Sequence, residues 1–191
     1  DLALPEVNGL EVIATLRGIE DEDYRRLRDA VHDLTEADET IELFEWVVGS
    51  LVIRHLDPRA SEERRGRYTR IQGLSDSAVL VLSTLAHTGH EDEMEGAKRA
   101  FREGMEALDE LDGEALLPRS ACGHTALDAA LDRLSHLVPE QKKRVLEACA
   151  RVIATDRKVT TREGELFRVI ADWMNCPVPP LLPGQRVVQE A

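Results

Sequence analysis

Apolar residues recur at three- and four-residue spacing along almost the whole chain, and no stretch of useful length alternates apolar with polar. That period fits the helix and defeats the strand, so the expected class is all-α. Tyr24, Leu27, Val31 and Leu34 give one apolar face over Asp21 to about Ala37. Phe44, Val47, Val48, Leu51, Val52 and Leu56 give another over Ile41 to about Leu56, stopped at Asp57–Pro58. The charged, glycine-bearing run 58–73 reads as a connection. Further helices are expected over Ser75–Thr88 and Glu91–Leu111, the second with Met94, Phe101, Met105 and Leu108 inward. Thr125–Leu137 and Pro139 to about Thr155 come next, with Pro139 in a first turn. The last helix, Thr160–Met174, opens on Thr160-Thr161-Arg162-Glu163, which has the form of a capping box. Beyond Cys176, Pro177, Pro179, Pro180 and Pro183 exclude a helix. The whole is expected to be a helical bundle of about seven helices, forming a single domain over 1–191.

A shift of 118 residues overlays two parts of the chain. Leu27 falls on Val145, Ala30 on Ala148, Leu34 on Val152, Asp38 on Asp156, Ile41 on Val159 and Glu45 on Glu163. Each copy reads as a helical hairpin, about 19–57 and about 137–175, with connecting helices over about 74–136 and a proline-rich tail over 176–191. Two amphipathic pairs of this kind bury their apolar faces against a shared core.

The repeated carboxylates Asp38, Glu45, Asp156 and Glu163 are the candidate metal ligands, since oxygen donors converging at a turn suit a hard cation. The same residues equally suit a structural role, in which Asp38 and Asp156 close tight turns and Glu163 reaches back to its helix start. Glu36, Glu39 and Glu42 enrich the first turn, whereas Arg157, Lys158 and Arg162 surround the second and disfavour a cation. Neither loop has EF-hand spacing. His87 and His90 flank Gly89, and His90-Glu91-Asp92-Glu93-Met94 nearly spells HExxH, but Met94 stands where zinc needs a second imidazole. Cys122, Gly123 and His124 are adjacent in sequence, and neighbours rarely aim at each other. No GxSxG, Walker loop or GxGxxG occurs, so no catalytic residue and no cofactor are expected, a divalent cation at the turns excepted.

The formal net charge of -13 argues against a nucleic-acid partner, because phosphates call for a basic face. Ten acids face three bases between 91 and 114, an acidic helix suited to basic protein partners. Arg64, Arg65, Arg67 and Arg70 form one basic run around Tyr68, which reads as a solvated connection. No apolar run approaches the roughly 20 residues of a membrane span. Three cysteines without a CxxC or a visible signal peptide imply reduced thiols in a cytoplasmic setting. The first residue is Asp rather than Met, so the chain reads as a fragment or processed product.

Two resemblances bear on function. The stretch Ala148–Glu163, an alanine-rich helix followed by Asp156, Val159 and Glu163, resembles TerB-like (tellurite-resistance) helical domains. Arg157 stands where those domains carry glycine, as does Glu39 in the first copy. The opening Asp1-Leu-Ala-Leu-Pro5, the hairpin through Glu36, Asp38, Ile41, Phe44 and Glu45, and the closing Cys176 to Pro183 are similar to the cytoplasmic C-terminal extension of HtpX-like bacterial membrane zinc peptidases, proteases with a chaperone-like role. The second resemblance implies a non-catalytic accessory module. Its partners would be proteins, including the peptidase domain of the same parent chain, and the parent would tether it to the inner membrane. The first implies the alternative, a divalent-metal-binding or stress-response module.

Overall fold

The structure, a computed structural model, describes Arg26 and residues 68–90, 93–111, 113–156, 158–176 and 178. The chain falls into two units, Asp1–Glu63 and Arg64–Ala191, and the five helices described below all belong to the second. Apart from Arg26, the first copy of the repeat, with Asp38 and Glu45, lies outside the described residues, as does the tail from 179 onward.

The described part is helical, with five α-helices: α1 Ser75–Gly89, α2 Met94–Met105, α3 His124–Ser135, α4 Pro139–Ala154 and α5 Thr161–Trp173. Helix α1 is the axis of the unit and packs against all four others. Its sequence explains the position. Ala78, Val81, Leu82, Leu85 and Ala86 are fully buried along one face, and Ser77, Val79, Ser83, Thr84 and His87 are buried on the others, so little of the helix beyond Asp76 is left for water. Helices α2 to α5 are amphipathic and turn one stripe inward. Leu127, Leu131 and Leu134 do so from α3, Val145, Ala148 and Cys149 from α4, and Leu166, Val169 and Ile170 from α5. Among the described residues, no helix is long and apolar enough to cross a membrane.

Short 3-10 turns do the connecting. Ile71–Leu74 leads into α1 and buries Ile71 and Leu74. Where one helix was expected over Glu91–Leu111, α2 ends at Met105. Ala107 N–H donates to Gly104 O at 3.1 Å and Leu108 N–H to Met105 O at 2.8 Å, so the chain tightens there, then forms a separate 3-10 turn, Asp109–Leu111. Arg144 of α4 holds that turn, pairing with Asp109 at 2.7 Å and with Glu110. The α3–α4 corner is tied to Tyr68, whose N–H donates to His136 O and whose carbonyl accepts from Val138 N–H. Pro139 occupies the first turn of α4, where its missing N–H is no loss.

Met94 corrects the expected inward face of α2. It is 54% exposed, because burial along this helix begins only at Gly96, while Phe101 and Leu108 are buried as the spacing requires. Helix α2 packs closely against α4 at Gly104. A Cβ there would stand 2.5 Å from Val152 Cγ2 and 3.2 Å from Ala148 O.

Candidate functional site

The corner between α4 and α5 brings Asp156 and Glu163 together. Thr155, after the last turn of α4, sends its hydroxyl back to Arg151 O at 3.0 Å. Asp156 Oδ1 then accepts the Lys158 N–H at 2.9 Å, a side-chain turn that reverses the chain. Thr160 caps α5, its hydroxyl accepting from Glu163 N–H at 3.2 Å. Glu163 returns the contact: its Oε2 accepts the Thr160 N–H at 2.8 Å and the Thr160 hydroxyl at 2.7 Å. The capping box legible in the sequence is therefore closed on both sides.

Glu163 is only 2% exposed, and its carboxyl group rests on Gly89 at the end of α1. Burial raises its pKa above the ordinary carboxylate value; the Thr160 bonds oppose that rise, the nearby Asp156 charge adds to it and His90 opposes it. Chemically, this carboxyl is a fastener with a proton affinity above normal. Both carboxylates of the second repeat use oxygen atoms to bind backbone N–H groups. Among the described residues, no three His, Cys, Asp or Glu side chains converge as metal ligands.

The histidines flanking Gly89 differ in role. His87 is buried, and its Nε2 lies 2.8 Å from Leu117 O. A carbonyl only accepts, so Nε2 carries the proton and donates. Leu117 N–H donates to Ser83 Oγ at 3.1 Å, and Arg119 donates to His87 O at 3.2 Å. These bonds stitch residues 117–119 to the last two turns of α1. His90 follows α1, with its Nδ1 over Gly96 at the start of α2.

The thiols are quiet. Cys122 is half-buried, and burial raises its pKa; its Sγ sits 3.7 Å from Pro118 O. Cys149 is fully buried and pushed up to about 12 by desolvation. Neither environment favours the thiolate that a nucleophile needs.

Sequence reading missed a cleft of about 340 Å³ along the outer side of α2. Phe101, Met105, Leu111 and Leu116 supply its apolar lining, Lys98, Arg102, Glu106 and Glu114 its charges. Lys98, Arg102 and Glu106 recur every four residues and so share one face of α2. That recurrence was a signal in the sequence, but the opposite wall, 113–116, has no period to announce it. No known protein family, curated protein or solved structure matches the chain.

Proposed function

We propose that this chain is a non-catalytic helical interaction module, accessory to a membrane-associated zinc peptidase of the HtpX-like kind that its sequence resembles. One observation carries the reading: among the described residues, three polar side chains that the sequence marks for chemistry, Glu163, Asp156 and His87, hold corners. Glu163 is engaged by Thr160, Asp156 by Lys158 and His87 by Leu117. Groups so occupied give a firm scaffold, and among the described residues this reading assigns binding to the charged outer side of α2 with its cleft. In this reading the module works in the cytoplasm, tethered through its parent, and regulates the peptidase or presents substrate to it.

The test is thermal unfolding of the purified chain with and without millimolar calcium, magnesium or zinc, alongside an assay on an unfolded protein substrate. An unchanged Tm and no cleavage are expected. A specific ion at 100 times its dissociation constant would add about 2.7 kcal/mol, and such a gain, abolished by Asp156→Ala, would replace this reading with the metal-binding one. Turnover by the chain alone would overturn it outright. The reading frame upstream of Asp1 supplies a second check, since the proposal expects HExxH and membrane-spanning segments there.

A further inference from the structure

The cleft on α2 has a polarity that identifies what fits it. Lys98, Arg102 and Glu106 follow one another at successive turns of one helix face, so the charge along this wall changes sign from its N-terminal to its C-terminal end. The far wall repeats the pattern at one end. Leu117 is fixed to Ser83 and His87 near the end of α1, which is separated from α2 only by residues 90–93. Residues 113–117 therefore run back along α2, with Glu114 at the Glu106 end. Between the charged ends lie Phe101 and Met105 from the helix, and Leu111 and Leu116 from the returning chain. Lys98 already pairs with Glu95 at 2.7 Å, both exposed, whereas Arg102, Glu106 and Glu114 make no ion pair among the described residues.

A second observation concerns the backbone. Residues 114–118 are non-helical, and among the described residues the N–H and C=O groups of Glu114 and Ala115 and those of Leu116 itself make no hydrogen bond, the Leu117 N–H being held by Ser83. An open run of N–H and C=O groups beside an apolar floor is what an extended peptide can pair with, side chains entering the floor while main-chain bonds form along the edge.

We infer that this cleft binds an extended peptide segment of a partner protein, apolar in the middle, with a carboxylate toward Lys98 and Arg102 and a cation toward Glu106 and Glu114. The dimensions agree. Lys98 and Glu106 are about 12 Å apart along the helix at 1.5 Å per residue. An extended pentapeptide spans roughly 13 Å between its end residues. The inference rests on the reading of the chain as an interaction module and names the surface and the chemistry of its partner.

The experiment titrates the full 191-residue chain, labelled with nitrogen-15, with three acetylated and amidated peptides: Asp-Leu-Val-Leu-Lys, Lys-Leu-Val-Leu-Lys and Asp-Leu-Val-Leu-Asp. The bipolar peptide is expected to bind at least fivefold tighter than either uniform one, with amide shifts centred on Ala115, Leu116 and Met105. Arg102→Glu, an exposed change, should reverse the order in favour of the dilysine peptide. Equal affinities, no binding of any peptide at millimolar concentration, or indifference to Arg102→Glu would overturn the inference. Its failure is separable from failure of the module reading. Stabilisation by a metal ion removes the module reading, whereas a cleft indifferent to peptide charge with a Tm indifferent to metals removes only the cleft.

Discussion

The carboxyl of Glu163 rests on the backbone of Gly89, so close that a Cβ on Gly89 would come within 2.8 Å of the carboxyl carbon. The contact joins the start of α5 to the end of α1, and it requires glycine on one side and a folded-back glutamate on the other. Gly89→Ala should push Glu163 out of its bond to Thr160 and undo the capping box. Losing such a cap costs about 0.5–2 kcal/mol. Chemical denaturation should show that loss, and Thr160→Ala should add little to it, because both changes break the same interaction.

Burial also gives Glu163 a distinctive pH signature. Its folded pKa lies above the ordinary value of 4.5, so the folded state holds this proton more tightly than the unfolded state does. Between the two values the native chain binds more protons, and stability from this group falls as pH rises. Its contribution is fully present below about 4.5 and is lost as pH climbs through the raised folded value. Glu163→Gln, which keeps a neutral acceptor for Thr160, removes that dependence. The Tm of wild type relative to Glu163→Gln should therefore decline as pH rises above about 4.5. A difference that is flat, or that grows with pH, would contradict the assignment.

How much of this corner could be read from sequence depends on locality. The Thr160–Glu163 box spans three residues and was legible, as was the start of α4 at Pro139. The partnership with Gly89 joins positions 74 residues apart and has no periodic signature. The end of α2 was misplaced for a different reason: Met105, Leu108 and Leu111 keep a three-residue spacing that 3-10 turns satisfy as well as an α-helix does. The cleft was hidden because one of its walls is aperiodic chain. Asp38 and Glu45 lie outside the described residues, so only the second copy of the repeated turn has a geometry to compare with its sequence.

Gly104 sets the separation of α2 and α4. Gly104→Ala places a methyl 2.5 Å from Val152 Cγ2. Overpacking of this kind costs about 1–3 kcal/mol, against less than about 1 kcal/mol gained in helix propensity. The variant should be destabilised in urea. Adding Val152→Ala makes room for the methyl, so the double variant should be more stable than the sum of the single effects predicts.

Thiol reactivity offers a kinetic reading of the core. Cys149 is fully buried with a pKa of about 12, so at pH 8 only about one molecule in ten thousand carries the thiolate. Iodoacetamide should leave Cys149 unmodified in the native chain and alkylate it promptly in about 6 M guanidinium, where the core is open. Cys122, half-buried with a raised pKa, should react more slowly than a free thiol. Rapid native labelling of Cys149 would mean that α4 is not packed as described.

His87 tests whether the chain returning along α2 is held from behind. Its Nε2 donates to Leu117 O, and Ser83 Oγ accepts from Leu117 N–H, so both peptide groups flanking Leu117 are anchored on α1. His87→Ala removes the donor, leaves a part-buried carbonyl without its partner and opens space beside α1. An unsatisfied buried acceptor alone costs about 1–3 kcal/mol. The loss should be local as well as global: exchange of the Leu117 amide, which Ser83 Oγ holds, should accelerate more than exchange of the hydrogen-bonded amides inside α3. Since residues 113–116 form one wall of the cleft, the same variant should weaken binding of the bipolar peptide without changing any group that lines it. Unaltered peptide affinity in a variant whose amides exchange faster would show that the wall need not be rigid. It would leave Arg102, Glu106 and Glu114 as the determinants of recognition.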